Sequence, residues 1–139
     1  MRYLGLDLGS KTLGIAISDK NRIIARPLIT LNYKGNKEKL LPKLSDIIKE
    51  KNIKKMVLGY PKNMNNTVGE RAKEIILFKE LLEANFNIEI ILYDERLSTK
   101  EAENILINAD LSRKKRKKII DQMAAVIILQ NYLNLKKGI

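Results

Sequence analysis

The stretch MRYLGLDLGSKTLGIAISD, residues 1–19, decides the fold. Two apolar runs, residues 3–8 and 13–17, flank a short turn at residues 9–11, which predicts two strands joined as a hairpin. Asp7 lies inside the first run, where an ionised carboxylate is costly unless a cation, a hydrogen-bond donor or a metal meets it. The hairpin is therefore either a plain one whose aspartate points to solvent or part of a metal or phosphate site. The flanking Gly5 and Gly9 leave room for a ligand to approach the backbone.

The composition limits the chemistry that is open to the protein. The 139 residues include no cysteine and no histidine, which excludes disulfides, thiolate zinc sites, cysteine nucleophiles and Ser-His catalysis. Any catalysis must use Asp, Glu, Lys, Arg, Tyr, Ser or Thr, and a hard cation bound by oxygen ligands suits that set. The balance of 27 Lys and Arg against 16 Asp and Glu, a formal net charge of +11, favours a nucleic-acid partner over a generally basic composition without one.

The size and the hydropathy pattern indicate where the protein works. We expect a single domain over residues 1–139, because no linker, repeat or low-complexity segment divides the chain. Asp7 and Lys11 interrupt the apolar amino-terminal stretch, which therefore does not have the pattern of a signal peptide. No segment reaches the roughly 20 apolar residues of a membrane span. These features predict a cytoplasmic protein with no membrane partner.

The remaining elements follow in the order β-β-β-α-β-α-β-α-α. The third strand is expected at residues 22–29, with Pro27 at a sheet edge, followed by a polar loop at 30–36. The later elements are helix 37–51, strand 54–60, polar loop 61–66, a helix with Thr67 as its cap and Glu70 at its third position, strand 88–93, a helix from a capping box at 98–101 to about 108, and a long helix capped by Ser112 and running to 133. The pattern predicts an α/β fold whose five-stranded mixed sheet has three antiparallel strands and then two parallel ones.

Acidic residues are expected to converge at one edge of this sheet. Asp7 lies late in the first strand, Asp94 and Glu95 close the fifth, and Asp121 lies on an otherwise apolar or small-residue face of the last helix. Singly, the pair at 94–95 is also typical of a helix entrance, and Asp121 of a boundary residue paired with a lysine. Together, oxygen-only ligands favour Mg²⁺ or Mn²⁺, and two such ions about 4 Å apart can drive phosphodiester hydrolysis.

Cations beside this edge are candidates for holding a phosphate backbone. Lys11 lies in the hairpin turn, where Gly5, Gly9 and Ser10 are the expected points of phosphate approach, and Arg96 follows the acidic pair. The last helix opens with an unbroken basic run: Arg113, Lys114, Lys115, Arg116, Lys117 and Lys118. The alternative for this run is a solvated helix start, but cations at a helix amino end oppose its dipole.

Four segments together resemble the YqgF/RuvX family of RNase H-like proteins. They are GLDLGSKTLGIA (5–16), GYPKNM (59–64) with Gly69, DERLST (94–99) with Glu101-Ala102, and DQMAA (121–125) with ILQNYL (128–133). The resemblance implies an RNase H-like domain with Asp7, Glu95 (beside Asp94) and Asp121 at a divalent-metal site. It also implies a nuclease that processes the 5′ end of precursor 16S rRNA, or one that resolves branched DNA junctions. This chain has Lys11 where the family usually has Arg, which loses the bidentate fork of a guanidinium.

Two other classes compete with the nuclease interpretation. Hairpins of the Asp-x-Gly-Ser/Thr type also bind phosphates in actin-like ATPases and sugar kinases, but those proteins close two such domains around a nucleotide, and this chain has one such hairpin. A nucleic-acid-binding module that keeps the fold without catalysis is the other class. The sequence leaves the choice between RNA and DNA, and between monomer and homodimer, open.

Overall fold

The structure is a computed structural model that describes residues 1–60, 69–94 and 113–136, with side chains through Tyr93 in the second range and from Met123 to Leu135 in the third. The strands are β1 (Arg2–Leu8), β2 (Thr12–Ser18), β3 (Ala25–Asn32), β4 (Ile53–Tyr60) and β5 (Glu89–Asp94). The helices are α1 (Leu40–Lys51), entered through a 3₁₀ turn at Lys37–Lys39, α2 (Glu70–Asn85) and α3 (Arg113–Lys136). The helix predicted at 98–108 and the loop predicted at 61–66 lie outside the described residues.

The five strands form one mixed sheet in the order β3-β2-β1-β4-β5. β1 pairs antiparallel with β2, and β2 pairs antiparallel with β3, as tight turns require. β1 and β4 pair in parallel, as do β4 and β5, each added through a helix. The predicted mixed sheet is confirmed. The carboxyl ends of its three parallel strands meet at one edge.

Alternation along β1 separates two cores on the two faces of the sheet. Leu4, Leu6 and Leu8 point into the larger core, which α1 and α2 cover. Tyr3 and Gly5 lie on the other face, where α3 packs through residues such as Ala125, Ile128 and Leu129. None of the helices in the described parts of the chain is long and apolar enough to cross a membrane.

The third strand begins later than predicted and runs further. Residues 22–24 belong to the preceding turn, because Asp19 Oδ1 accepts the backbone N–H groups of Ile23 (2.6 Å) and Ile24 (3.0 Å) and Arg22 adopts a φ of 58°. Part of the predicted polar loop, residues 30–32, instead pairs with β2. Pro27 lies on the edge strand, as predicted, next to a bulge in the β2–β3 ladder.

The start of α2 also corrects the prediction. Glu70 is the first helical residue rather than the third, and Gly69, with extended backbone angles, is the N-cap in place of Thr67. The Gly69 carbonyl accepts the N–H of Lys73 at 3.2 Å. Glycine is an accepted N-cap, so a nearby Thr and Glu at capping-box spacing were not sufficient to fix the helix start. For α3, the structure describes helix from Arg113 onward, and the predicted cap, Ser112, lies outside the described residues.

Candidate active site

Asp7 lies at the carboxyl end of β1, on the face of the sheet that α3 covers. It is half-buried, and its direct partner across the β1–β2 ladder is Gly14. Continuing the parallel register of Leu6 with Leu58 brings Gly59 level with Asp7 on the other side. The residues level with Asp7 in the two neighbouring strands are therefore both glycines. An acidic group on a packed face, set between two glycines, is an arrangement that leaves lateral room for a cation.

Gly5 sets how closely α3 approaches this face. A Cβ atom built on Gly5 would lie 2.6 Å from the Ala125 carbonyl oxygen and 2.7 Å from Leu129 Cβ. The absence of a side chain at Gly5 thus lets the last helix pack closely on β1. The expectation that Gly5 is a point of phosphate approach is wrong, because the helix fills the space beside it.

The other predicted acidic ligands are described only in part. Asp94 is the last residue of β5, where its backbone is level with Tyr60 of β4. Asp121 belongs to α3, one helical turn before Ala125. The side chains of both lie outside the described ones, as do Glu95 and Arg96 entirely. Among the side chains that the structure describes, no group of three or more acidic residues forms a metal site, and only Asp7 of the predicted ligands is among them.

The turn after Asp7 is held by side chains from other elements. The hydroxyl of Tyr33, which follows β3, donates to the Gly9 carbonyl, and the Tyr33 backbone N–H donates to the Lys11 carbonyl at 3.1 Å. The guanidinium of Arg71, in the first turn of α2, donates to the Leu8 carbonyl. Within the turn, the Gly9 N–H donates to the Thr12 carbonyl at 2.7 Å. Gly9 thus uses both backbone polar groups inside the protein, and the exposed positions at this turn are Ser10 and Lys11.

Burial raises the pKa of Tyr33 above 10.0; the charge of Arg71 acts in the opposite direction, and that of Glu74 raises it further. The hydroxyl therefore keeps its proton, and its capacity to donate, at neutral pH.

Charge is distributed unevenly between the two faces of the sheet. α1 and α2 together carry six Lys and Arg against six Asp and Glu, whereas α3 carries seven against one. Six of those seven are the predicted basic run, Arg113 to Lys118, in the first turns of α3. The excess of positive charge thus lies on the helix that covers the Asp7 face.

Sequence reasoning missed Tyr33, Arg71 and the pairing of Asp7 with Gly14. Tyr33 had one usable signal, because it is a lone aromatic residue within a stretch that otherwise reads as polar loop. Its side chain is 3% exposed. Arg71 had none, because its partner is a backbone carbonyl more than 60 positions away.

Comparisons with known proteins agree with this geometry. A family model described as RuvX, Holliday junction resolvase, matches residues 1–135. Two relatives named "Putative pre-16S rRNA nuclease" come from Geobacillus sp. (strain WCH70), 52% identical over 99% of this chain and 100% of that protein, and Bacillus subtilis (strain 168), 51% identical over 96% and 98%. T. thermophilus RuvC, solved in complex with a Holliday junction substrate, superposes with a TM-score of 0.60 at 13% identity over 99% of this chain and 96% of that one, which confirms the RNase H-like fold. The chain belongs to the RuvX family.

Proposed function

We propose that this protein is a divalent-metal-dependent endonuclease that hydrolyses phosphodiester bonds of precursor 16S rRNA in the cytoplasm. The family membership and the names of the relatives support nuclease activity. The substrate, the metal and the individual ligands are our inference from the residues of this chain.

The observation that carries the proposal is that α3 runs antiparallel to β1 and packs closely on the Asp7 face. Tyr3 contacts Tyr132, with ring centroids 6.3 Å apart, whereas Gly5 contacts Ala125 and Leu129, so α3 runs antiparallel to β1. From Gly5 to Asp7, β1 advances about 6.6 Å. About four helical residues cover a similar distance, which leads from Ala125 back to Asp121. This register supports the pairing of Asp7 and Asp121 in one site.

The proposed ligands are Asp7, Asp121 and Glu95, with Asp94 beside it. Their chemistry fits the proposed ion, because Mg²⁺ and Mn²⁺ prefer carboxylate oxygens. Bound there, a divalent ion would supply an activated water and charge stabilisation for the leaving oxygen. The residues themselves would fix the positions of those oxygens. With no histidine in the chain, proton transfer must also rely on carboxylates, lysines or water.

We propose that the substrate lies along the positively charged side of the molecule. The basic run at 113–118 would contact phosphates on one side of the acidic cluster, and Lys11, exposed in the hairpin turn, on the other. Arg96 is a further proposed contact. Binding through such cations should weaken steeply as salt is raised, because phosphate contacts release counterions. Neutralising Lys114, Lys115 and Lys117 together should flatten the slope of log K against log salt by about 2–3.

The decisive experiment compares Asp7→Asn with Asp46→Asn on two substrates in Mg²⁺ or Mn²⁺. The substrates are precursor 16S rRNA and a four-way DNA junction. Asp46 is an exposed carboxylate of α1, on the opposite face, and controls for the loss of one negative charge. We expect Asp7→Asn to reduce cleavage of the precursor at least 100-fold while binding is retained, and Asp46→Asn to cleave as the wild type does. Unchanged cleavage by Asp7→Asn would refute the proposed site.

A second candidate is resolution of branched DNA, which the description of the matching family favours. The chemistry would be the same, but cutting a junction symmetrically requires two active sites, and hence a homodimer. Cleavage of the junction alone, by a species that sediments as a dimer, would establish this alternative. Metal-independent binding without any cleavage would instead identify a non-catalytic nucleic-acid-binding module.

A further inference from the structure

Tyr33 forms two hydrogen bonds with the hairpin turn. Its hydroxyl donates to the carbonyl of Gly9 and its backbone N–H donates to the carbonyl of Lys11, so that one residue binds both sides of Ser10. Tyr33 is itself fixed, since it is 3% exposed within the core on the α1–α2 side, and its carbonyl accepts the N–H of Asn36 at 2.9 Å. The turn therefore rests against a rigid residue rather than moving freely in solvent.

Arg71 adds a third hydrogen bond to the turn, at Leu8, one residue before Gly9. Its guanidinium donates to the carbonyl of Leu8, the residue directly after Asp7. Leu8, Gly9 and Lys11 thus direct their carbonyl groups toward protein side chains or backbone contributed by α2 and by the segment after β3. Contacts from two separate elements converge on one four-residue turn.

The planarity of the peptide bond converts these contacts into a prediction about the Ser10 N–H. In a trans peptide the carbonyl and the N–H of one unit point in opposite directions. The Gly9 carbonyl points to Tyr33 on the α1–α2 side, so the Ser10 N–H of the same unit points away from that side, toward the face that carries Asp7. A backbone N–H held in this way is a suitable donor to a phosphate oxygen.

We propose that Tyr33 and Arg71 are positioning residues of the active site, which hold the carbonyl groups of the turn after Asp7 and thereby aim the Ser10 N–H at a phosphate of the bound nucleic acid. This inference rests on the proposed nuclease function for its substrate. It goes beyond that function because neither residue belongs to the proposed metal ligands or to the predicted cationic contacts.

Tyr33→Phe tests the proposal, with Tyr132→Phe as its matched control. Both variants remove one hydroxyl from a tyrosine that is less than 10% exposed. The Tyr132 hydroxyl accepts from Lys55 Nζ at 3.0 Å, on the amino-terminal half of β4 and away from the hairpin turn. Without the Tyr33 hydroxyl, the Ser10 N–H should lose its aim and with it the proposed hydrogen bond to a charged phosphate oxygen. We therefore expect Tyr33→Phe to raise KM for the cleaved substrate about tenfold and to weaken metal-free binding of the same nucleic acid equally. A role confined to stability would lower the active fraction and hence kcat, and would leave KM unchanged.

The outcomes separate the two proposals. A Tyr33→Phe protein that is folded, as judged by its thermal unfolding, and has the KM of the wild type would overturn the positioning role, as would an equal rise in KM for Tyr132→Phe. Should Tyr33→Phe fail to fold, Arg71→Lys decides, with an expected rise in KM of about threefold and a wild-type KM as the contrary result. If the wild type cleaves neither substrate, the proposed function fails, and metal-free binding still decides the role of Tyr33.

Discussion

Replacing Gly5 with alanine tests how α3 is seated on β1. A Cβ atom at Gly5 would lie 2.6 Å from the Ala125 carbonyl oxygen, whereas ordinary van der Waals contact begins at 3.4 Å. The two groups must therefore separate by about 0.8 Å to restore normal packing. Because the oxygen belongs to the backbone of α3, the helix has to shift as a body. Overpacking of this kind costs about 1–3 kcal/mol, or roughly 4–10 °C in Tm for a chain of this length.

The same shift should affect catalysis beyond its effect on stability. If α3 carries the Asp121 carboxylate toward Asp7, moving it by most of an ångström misplaces one proposed ligand, and displacements of about 1 Å can cost about 100-fold in rate. We expect kcat of Gly5→Ala to fall at least tenfold, measured well below its Tm. Leu82→Ala is the control, because it removes buried side-chain volume near the end of α2, on the opposite face, at a cost of about 2–5 kcal/mol.

Leu82→Ala should keep kcat within twofold of the wild type. The reasoning is refuted if Gly5→Ala melts with the wild type, or if its kcat falls no further than that of Leu82→Ala.

Three further substitutions test contacts away from the packing of α3 on Gly5. Gln130 of α3 hydrogen-bonds to two backbone groups at the turn between β2 and β3, both at 2.9 Å, so Gln130→Ala should cost about 2 kcal/mol in thermal unfolding and leave kcat unchanged. The backbone N–H groups of Ile24 and Ile23 lower the pKa of Asp19 below 3.8. The stability that ionised Asp19 gives the folded protein is therefore complete above pH about 4 and is lost as the pH falls through the lowered pKa. Asp19→Asn should make the urea midpoint depend less on pH in that acid range. Burial alone lowers the pKa of Lys55, but its hydrogen bond to Tyr132 and the nearby charges outweigh burial and raise the pKa above 10.5. The stability that charged Lys55 gives the folded protein is therefore present below pH about 10.5 and is lost as the pH rises through the raised pKa. Lys55→Met should remove this alkaline loss of stability.

The sequence was informative wherever a signal is local. The hairpin, the edge position of Pro27 and the two parallel strands follow from apolar runs and turn residues, which act over a few positions. The early start expected for β3 was wrong because Ile23 and Ile24 look like strand residues, whereas the Asp19 carboxylate accepts their N–H groups in a turn. A side chain that competes with the ladder for backbone donors is invisible to a pattern of hydropathy alone.

The roles of the glycines in this fold depend on partners that lie far away in the chain. Gly5 and Gly9 both flank Asp7, and the sequence suggested one role for both, as space for phosphate. The structure separates them, since Gly5 lies under α3 and Gly9 is tied to Thr12 and Tyr33. Which element covers Gly5 is decided by the packing of residues about 120 positions later, and no local signal carries that information.

One non-local signal was nevertheless present in the two sequences that meet at the site. Along β1, Tyr3, Gly5 and Asp7 recur every second residue, a step of about 6.6 Å. One turn of α3, a step of similar length, separates successive members of the series Asp121, Ala125, Leu129 and Tyr132. This series runs from acid through small residue to aromatic, the reverse of the order along β1. The helix has one more step than the strand, and Gly5 meets both Ala125 and Leu129, so antiparallel packing places aromatic near aromatic at one end and acid near acid at the other. The contact of Tyr3 with Tyr132 and that of Gly5 with Ala125 satisfy two of the three matches, and the third predicts that Asp121 faces Asp7.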